Sequence, residues 1–167
     1  MASRKVEKLL PFSPRIKVIS PKATAYIEEL ATLGRLELVR RKLKLKGLLG
    51  AFMVIVAVDD VKLQERVYRY CLKKGIHCNA VDSPDFCTFP FPALIVRYEL
   101  VIGISTSGIA PALSAGLREY IQRCIPEDVE ELLRELESIR ERIPKGEKRQ
   151  KRLMYLVKGK LFKDPHL

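Results

Sequence analysis

The sequence predicts an α/β protein with a doubly wound parallel sheet, followed by a mainly helical second region. Strand-like and helix-like segments alternate up to about residue 82, which is typical of right-handed βαβ crossovers. The run "AFMVIVAV", residues 51–58, is apolar throughout, as expected for a parallel strand buried on both faces. After residue 111, apolar residues recur at the three- and four-residue spacing of helices.

The first elements are two helix–strand pairs. "ASRKVEKLL" has apolar residues at helical spacing, and Pro11 ends this predicted helix. "RIKVIS" is predicted as a short strand. The next helix is predicted from Pro21 to about Leu33, with Gly34 as the residue that terminates it, and "RLELV" is predicted as a strand.

The remaining elements follow the apolar run. Asp59 and Asp60 open a predicted helix, "VKLQERVYRYCLKKG", that Gly75 ends, and "IHCNAV" is the next predicted strand. "FPALIVRYELVIGIST" predicts two strands joined by a tight turn at Tyr98. "EDVEELLRELESIRER" spaces its apolar residues as an amphipathic helix does, so we expect helices from Pro111 onward.

The chain is strongly basic. It has 167 residues, a formal charge of +11 and an isoelectric point near 9.6. This charge predicts an anionic partner, and nucleic acid, an acidic membrane surface and a polycarboxylate ligand all qualify. Much of the excess lies in "KGEKRQKRLMYLVKGKLFK", residues 145–163, which can equally be a solvated surface helix.

The sequence gives no sign of a membrane span, a signal peptide or a metal site. No apolar run approaches the roughly 18 residues of a membrane span, and the N-terminus lacks the features of a signal peptide. We therefore expect a cytoplasmic protein without a membrane partner. The four cysteines show no C-x-x-C spacing and only two histidines accompany them, so we expect reduced thiols and no bound metal.

Three carboxylates follow directly on predicted strand ends, where ligands bind in open α/β sheets. Asp59 and Asp60 follow one strand, and Asp82 follows the next. For Asp59 or Asp60, a helix cap is an equal alternative. Asp82 precedes the proline-rich loop "SPDFCTFPFP" instead of an obvious helix. Asp82 is therefore the main candidate for a functional acid.

A second candidate site is the polar segment "GISTSGIAP", residues 103–111, which precedes a predicted helix. Its hydroxyl and backbone N–H groups suit a carboxylate or a phosphate, although Ser and Thr in this place also cap helices. The nucleotide-binding pattern G-x-G-x-x-G does not occur in the sequence.

Taken together, these segments resemble one known family. "ASRKVEKLL…IKVISP", "VAVDDVKLQERV" and "HCNAVDSPDFCTFPFPALIVRYELVIGISTSGIAPALSAGLREYI" are similar to the precorrin-2 dehydrogenase / sirohydrochlorin ferrochelatase family, which also forms the N-terminal half of siroheme synthases. The resemblance reaches about residue 140. It implies three parts: a Rossmann-like dinucleotide-binding domain over residues 1–89, a dimerisation region over 90–125 and a helical C-terminal region with a basic tail over 126–167.

The resemblance also implies an activity, a cofactor and site residues. Members oxidise precorrin-2 to sirohydrochlorin and pass a hydride to NAD, and some also insert ferrous iron. The implied base is Asp82, which matches the last residue of the family's N-V-V-D pattern. The implied cofactor-binding residues are Ser20, Pro21, Ala57, Val58 and Asp59. The implied substrate-binding residues are Asn79, Ser105, Thr106, Ser107 and Gly108.

The sequence departs from the family pattern in three places. Val58 stands where the family's A-T-D-D segment has threonine, and the loop from Ser105 to Pro111 lacks the family's second glycine. Members also begin with a strand and a glycine-rich turn, whereas "MASRK" aligns with the V-A-x-R-K that follows that turn. We interpret this either as a start site placed too far downstream or as a short form. In a short form, the sheet closes the gap by pairing adjacent strands or borrows a strand from a partner.

Three functions are consistent with the sequence. The first is a homodimeric, NAD-dependent precorrin-2 dehydrogenase, whose polycarboxylate substrate suits the basic charge. The second is a tetrapyrrole-binding protein that binds sirohydrochlorin without dehydrogenase activity. The third is a nucleic-acid-binding domain that uses residues 145–163. Because no recognised nucleic-acid motif accompanies the charge, nucleic acid is not the expected partner.

Overall fold

The computed structural model describes residues 1–161, which form six helices and six strands. The helices are α1 (Ala2–Leu9), α2 (Ala25–Thr32), α3 (Val61–Lys74), α4 (Pro111–Cys124), α5 (Val129–Arg142) and α6 (Glu147–Leu161). The strands are β1 (Lys17–Ile19), β2 (Glu37–Val39), β3 (Met53–Val56), β4 (His77–Ala80), β5 (Ala93–Arg97) and β6 (Leu100–Ile104). The last six residues of the chain, which include the end of the predicted basic tail, lie outside the described residues.

The chain forms two compact units, of which the first is Met1–Phe91 and the second begins at Pro92. The first unit alternates helices with parallel strand pairs, and the second contains one antiparallel hairpin and three helices. The predicted α/β class is therefore confirmed. The division of the second unit at residue 125 stays a prediction. Across the described residues, no helix combines the length and apolar character that a bilayer crossing requires.

Parallel pairing in the first unit joins strands that follow each other along the chain. In the pair β1–β2, Lys17 lies opposite Glu37, and in the pair β3–β4, Val56 lies opposite Ala80. Within residues 1–161 these are two separate two-stranded sheets, so β1 and β3 do not pair with each other. Each pair spans a strand–helix–strand unit, as the alternating pattern predicted.

Each parallel pair has its own hydrophobic cluster. Val6 of α1 packs with Ile27, Leu30 and Leu36 beside β1–β2. The larger cluster beside β3–β4 centres on α3, and its buried members are Leu48, Val56, Val67, Cys71, Ile76, Cys78 and Ala80. Helix α1 therefore belongs to the β1–β2 side of the unit, while α3 covers β3–β4.

Two details differ from the sequence-based expectations. We expected the run at residues 51–58 to be buried on both faces, but Met53, Val54 and Ile55 are only half-buried. The reason is that β3 has a strand neighbour along one edge only among the described residues. We also expected α2 to start at Pro21. It starts after Thr24, because residues 21–24 form a bend before the first helical turn.

Glycines end two helices as predicted. Gly34 follows α2 with φ +68° and Gly75 ends α3 with φ +66°. This left-handed conformation disfavours side chains with a Cβ, so glycine is the natural residue for such ends. The turn at Gly75 leads the chain directly back into β4.

The second unit is built on a hairpin. β5 and β6 pair antiparallel from Ala93–Ile104 to Arg97–Leu100, and Tyr98 turns the chain with φ +52°. Helix α4 packs on this hairpin. Helices α5 and α6 pack against each other, and the Lys160 ammonium donates to the Asp128 carboxylate at 2.6 Å.

Candidate functional site

The carboxyl ends of β3 and β4 bring two predicted site segments to one edge. Because β3 and β4 are parallel and in register, the residues that follow them leave the sheet on the same side. Ala57, Val58 and Asp59 follow β3, and Asp82 follows β4 by two residues. The structure thus places the predicted cofactor segment beside the predicted base within the first unit.

Asp82 occupies a turn with an unusual backbone. Its φ is +61°, in the left-handed region, and the Ser83 N–H donates to the Ala80 carbonyl across the turn at 3.4 Å. Asp and Asn enter this region more readily than other residues with a side chain. The Asp82 residue is exposed, so its carboxylate is accessible to a ligand beyond the strand ends.

The proline-rich loop after Asp82 is held by a network around Cys87. A short 3₁₀ turn, Pro84–Phe86, leads to Cys87, whose thiol donates to the carbonyls of Ala80 and Ser83 at 3.3 and 3.4 Å. The Thr88 N–H donates to the Cys78 carbonyl at 2.7 Å. The proline-rich loop is therefore held against β4 by several hydrogen bonds.

Asn79, a predicted substrate-binding residue, points into this network. Its side chain is buried, and its amide donates to the Phe89 carbonyl at 3.0 Å and to the Cys87 sulfur at 3.5 Å. In the described structure the Asn79 side chain holds the loop from the inside. Its predicted contact with a substrate stays a prediction.

A lysine lies beside the Asp82 loop. The Lys5 ammonium sits 4.2 Å from the ring centre of Phe91, and Lys8 lies 5.9 Å from the same ring. Partial burial lowers the pKa of Lys5, the positive charge of Lys8 lowers it further, and the nearby Cys87 and Asp82 oppose this change. A positive charge is thus oriented toward the edge that carries Asp82.

Asp59 and Asp60 have different roles, although they are neighbours. The Asp60 carboxylate accepts from the Leu63 N–H at 3.0 Å, so Asp60 caps α3. The Asp59 side chain is exposed and makes no hydrogen bond or ion pair in the described part of the chain. The cap alternative therefore applies to Asp60, and Asp59 remains available for a ligand.

The start of α1 and the end of β1 carry the groups predicted to contact a dinucleotide. The first turn of α1 has neither an acidic residue nor a side-chain cap, so its N–H groups are available for an anion such as a pyrophosphate. Arg4 and Lys5 add positive charge there. Ser20 and Pro21 directly follow β1, and the Ser20 N–H donates to the Val39 carbonyl at 3.2 Å.

The segment from Ser105 to Gly108 lies in the second unit and precedes α4. The Thr106 hydroxyl accepts from the Ala110 N–H at 3.1 Å and contacts the Ser114 hydroxyl at 3.2 Å. The Ser105 hydroxyl accepts from the Ser107 N–H at 3.1 Å, and both Ser107 and Gly108 have positive φ. Helix α4 has no side-chain cap, so the capping alternative does not describe this segment. Thr106 instead holds the residues that precede α4, while Ser105, Ser107 and Gly108 form an exposed turn.

The buried thiols near the site are kept neutral. Burial raises the pKa of Cys78 to about 12, with a smaller contribution from Cys71, and burial also raises the pKa of Cys71. A neutral thiol is a poor nucleophile and a poor metal ligand. No three His, Cys, Asp or Glu side chains in residues 1–161 are grouped so that they could hold a metal ion.

Sequence reasoning missed two residues at this edge, Gln64 and Lys5. Gln64 is buried in α3 and hydrogen bonds to both segments that follow β3 and β4. A signal existed: Gln64 lies three and seven residues before Val67 and Cys71, so it is a polar residue within the apolar stripe of the helix. Lys5 gave no signal, because a lysine on a short helix is ordinary in a sequence.

Comparison with known proteins shows the family of this chain. The family model NAD_binding_7, described as "Putative NAD(P)-binding", matches residues 1–93. The chain is 36% identical over 143 residues to the siroheme synthase of Methylococcus capsulatus, across 86% of this chain and 30% of that protein. The siroheme synthase of Pseudoalteromonas atlantica is 33% identical over 143 residues, across 86% of this chain and 31% of that protein.

The fold also has a match among solved structures. SirC, precorrin-2 dehydrogenase, aligns with a TM-score of 0.70 and 22% identity, over 98% of this chain and 83% of that chain. The chain spans about 30% of the length of the siroheme synthases named above. The family resemblance indicated by the sequence motifs is confirmed. Because the family model matches more than half of its residues, the chain belongs to the NAD_binding_7 family.

Proposed function

We propose that the chain catalyses the NAD-dependent oxidation of precorrin-2 to sirohydrochlorin, a step of siroheme biosynthesis, in the cytoplasm. The observation that supports this most directly is the position of Asp82. It is an exposed carboxylate in a left-handed turn at the carboxyl end of β4, next to the segment that follows β3. The relatives named siroheme synthase and precorrin-2 dehydrogenase supply the reaction.

In this proposal Asp82 is the general base. Oxidation of the tetrapyrrole ring removes a hydride and a proton, and Asp82 accepts the proton and later releases it to water. NAD, when bound, accepts the hydride. The dinucleotide is held by the first turn of α1, by Ser20 and by the segment 57–59. Within that segment, the unpaired Asp59 carboxylate accepts hydrogen bonds from the hydroxyl groups of the dinucleotide.

The substrate is a polycarboxylate, which suits the charges of this chain. The net charge is +11, and the ammonium groups of Lys5 and Lys8 both lie over the ring of Phe91, near the Asp82 loop. A positive potential around the cleft raises the rate of encounter with an anionic ligand, and salt weakens this effect. Asn79 and the segment from Ser105 to Gly108 remain the proposed substrate contacts.

A homodimer is part of the proposal. Three exposed apolar side chains, Leu113, Leu117 and Tyr120, lie at helical spacing on one face of α4. We name this face the α4 stripe. An exposed apolar stripe of this kind is typical of protein–protein interfaces, and it lies within the region 90–125 that the sequence predicted for dimerisation.

The test is anaerobic conversion of precorrin-2 with NAD, followed by the absorbance of sirohydrochlorin and of NADH. We expect turnover by the wild type and a loss of at least about hundredfold in Asp82→Asn, because general bases contribute roughly that much or more. Asp85→Asn is the matched control, since Asp85 is an exposed acid three residues along the same loop. It should retain wild-type turnover.

Three outcomes would contradict the proposal. Equal losses in both variants would remove Asp82 from the base role. Sirohydrochlorin binding without turnover would favour a tetrapyrrole-binding protein that is not a dehydrogenase. Binding of nucleic acid with a steep salt dependence, and none of a tetrapyrrole, would favour the nucleic-acid hypothesis.

A further inference from the structure

Gln64 is a buried amide in the first turns of α3. It is 3% exposed, and a buried amide is stable only when its donors and acceptor have partners. Its Nε2 group donates to the Val58 carbonyl at 2.6 Å and lies 3.5 Å from the Val81 carbonyl. Its Oε1 atom accepts from the Ser83 hydroxyl at 2.5 Å. One side chain thus contacts two different loops.

The two loops are the segments that carry Asp59 and Asp82. Val58 directly precedes Asp59, while Val81 and Ser83 flank Asp82 on both sides. The backbone ladder between the two strands ends where the Val81 N–H donates to the Val56 carbonyl at 2.9 Å. Beyond that bond, the side chain of Gln64 continues the connection between the loops.

The contacts of Gln64 also bear on the backbone of Asp82. A residue with a side chain at φ +61° is held there against a preference for other conformations. The bonds to Val81 and Ser83 fix the residues before and after Asp82. These bonds therefore restrict the direction in which the Asp82 side chain extends from the turn.

We propose that Gln64 is a positioning residue that, through Ser83, sets the place of the Asp82 carboxylate relative to the cofactor-side segment 57–59. This inference rests on the proposed function, since it gives Asp82 and segment 57–59 their chemical roles. Proton removal and hydride transfer from one substrate require both groups at fixed distances, and small displacements lower turnover strongly.

Two variants separate the two halves of this connection. Ser83→Ala removes the hydroxyl bond that follows Asp82 and leaves the contacts of Gln64 with the Val58 and Val81 carbonyls intact. Gln64→Leu removes both halves with a side chain of similar size. Ser83→Thr keeps the hydroxyl. The backbone φ of Ser83 is −135°, which suits a β-branched residue such as threonine. Thr32→Ala is the matched control, because it removes a hydroxyl that bonds within α2, at the Glu28 carbonyl.

Steady-state kinetics gives the first readout. We expect Ser83→Ala to lower kcat by about tenfold to hundredfold, with KM for NAD changed less than about twofold, because only the base is displaced. Gln64→Leu should lower kcat and also raise KM for NAD. Ser83→Thr should recover most of kcat, and Thr32→Ala should match the wild type. An unchanged kcat in Ser83→Ala, with active wild type, overturns the inference and leaves the proposed function standing.

Hydrogen exchange gives a readout that does not depend on turnover. The N–H groups of Ser83 and Phe86 bond within the Asp82 loop, to the carbonyls of Ala80 and Ser83. We expect their exchange to become at least about tenfold faster in Ser83→Ala and Gln64→Leu, while the Val67 amide in the middle of α3 stays protected. Protection of Val67 also shows that Gln64→Leu is folded.

The two readouts keep the two ideas apart. If the wild type does not oxidise precorrin-2, the proposed function fails, and exchange alone decides the inference. Faster exchange at Ser83 and Phe86 then supports Gln64 as the group that positions the loop. Unchanged exchange at both amides overturns it, whatever the turnover.

Discussion

Asp82 combines a candidate chemical role with a demanding backbone position. Its φ of +61° is open to Asp, Asn and Gly, but it disfavours alanine. We expect Asp82→Asn to change the free energy of unfolding by less than about 0.5 kcal/mol and Asp82→Ala to lower it by about 1 kcal/mol. Urea denaturation of both variants checks this. Equal stability of the two would mean that the turn relaxes without penalty.

This prediction has a practical consequence for enzymology. A loss of turnover in Asp82→Ala has two possible causes, the removal of the carboxylate and a disturbed turn. Asp82→Asn keeps the turn and replaces the basic carboxylate with a neutral amide. It is therefore the variant that tests the role of Asp82 as a general base. Asp85→Asn then reports the effect of one lost charge in the same loop.

Cys78 makes stability depend on alkaline pH. Its folded pKa is about 12, whereas an unfolded thiol has the ordinary value of 9.0. The folded pKa is the higher one, so this contribution is complete below pH 9 and is lost as pH rises from 9.0 toward 12. We expect the wild type to lose about 1 kcal/mol more than Cys78→Ala between pH 8 and pH 10.

Denaturation curves at the two pH values provide the measurement. The variant is less stable at both, because its core lacks the sulfur atom, but the difference between variant and wild type should shrink at pH 10. A constant difference would show that the Cys78 thiol titrates in the same way in both states.

The candidate site was only partly predictable from single residues. The sequence could place Asp59, Asp60 and Asp82 at strand ends, because apolar runs end visibly there. It could not decide which of Asp59 and Asp60 caps α3, since that depends on the turn geometry that brings one carboxylate to the Leu63 N–H. The connection through Gln64 depends on tertiary contacts, which local spacing does not reveal.

At the scale of elements, the start of α3 offers a matched pair of neighbours. Asp60 caps the helix and Asp59 has no partner in the described structure. We expect Asp60→Ala to lower the free energy of unfolding by about 1 kcal/mol and Asp59→Ala to leave it unchanged. In the proposed reaction, Asp59→Ala should instead raise KM for NAD. Thermal unfolding and steady-state kinetics together check both halves.

A reversed pattern would reassign the two acids. If Asp59→Ala destabilised the protein and Asp60→Ala raised KM, the cap and the cofactor contact would be exchanged. If neither variant affected KM, the cofactor segment would act through its backbone alone.

The order and type of the elements followed from the sequence because their signals are local. Apolar periodicity, prolines and glycines predicted the positions of α1, α3, β5, β6 and the later helices. Strand pairing is not local. The half-burial of β3 and its separation from β1 depend on which strands meet in space, and no short pattern encodes that.

The α4 stripe belongs to the scale of the whole molecule. Leu117 is 38% and Tyr120 is 63% exposed, and each would lose contact with water in a dimer. We expect Leu117→Glu to shift a dimer to monomer in sedimentation experiments. Leu72→Glu on α3 is the control, because Leu72 is 52% exposed and lies outside the α4 stripe.

Both variants replace an exposed leucine with the same charged residue. A general effect of that charge on solubility is therefore the same in both and cancels in their comparison. A monomeric wild type would contradict the proposed homodimer outright. A dimer that survives Leu117→Glu but not Leu72→Glu would move the interface to the first unit.

The two short parallel strand pairs also affect how the protein behaves when it is concentrated. Within the described residues, β1 and β3 each offer one row of backbone N–H and C=O groups that no neighbouring strand takes up. Such rows are templates on which extended segments of other chains can add, and they promote aggregation. We therefore expect these open rows to lower the yield of soluble protein as its concentration rises during expression and storage.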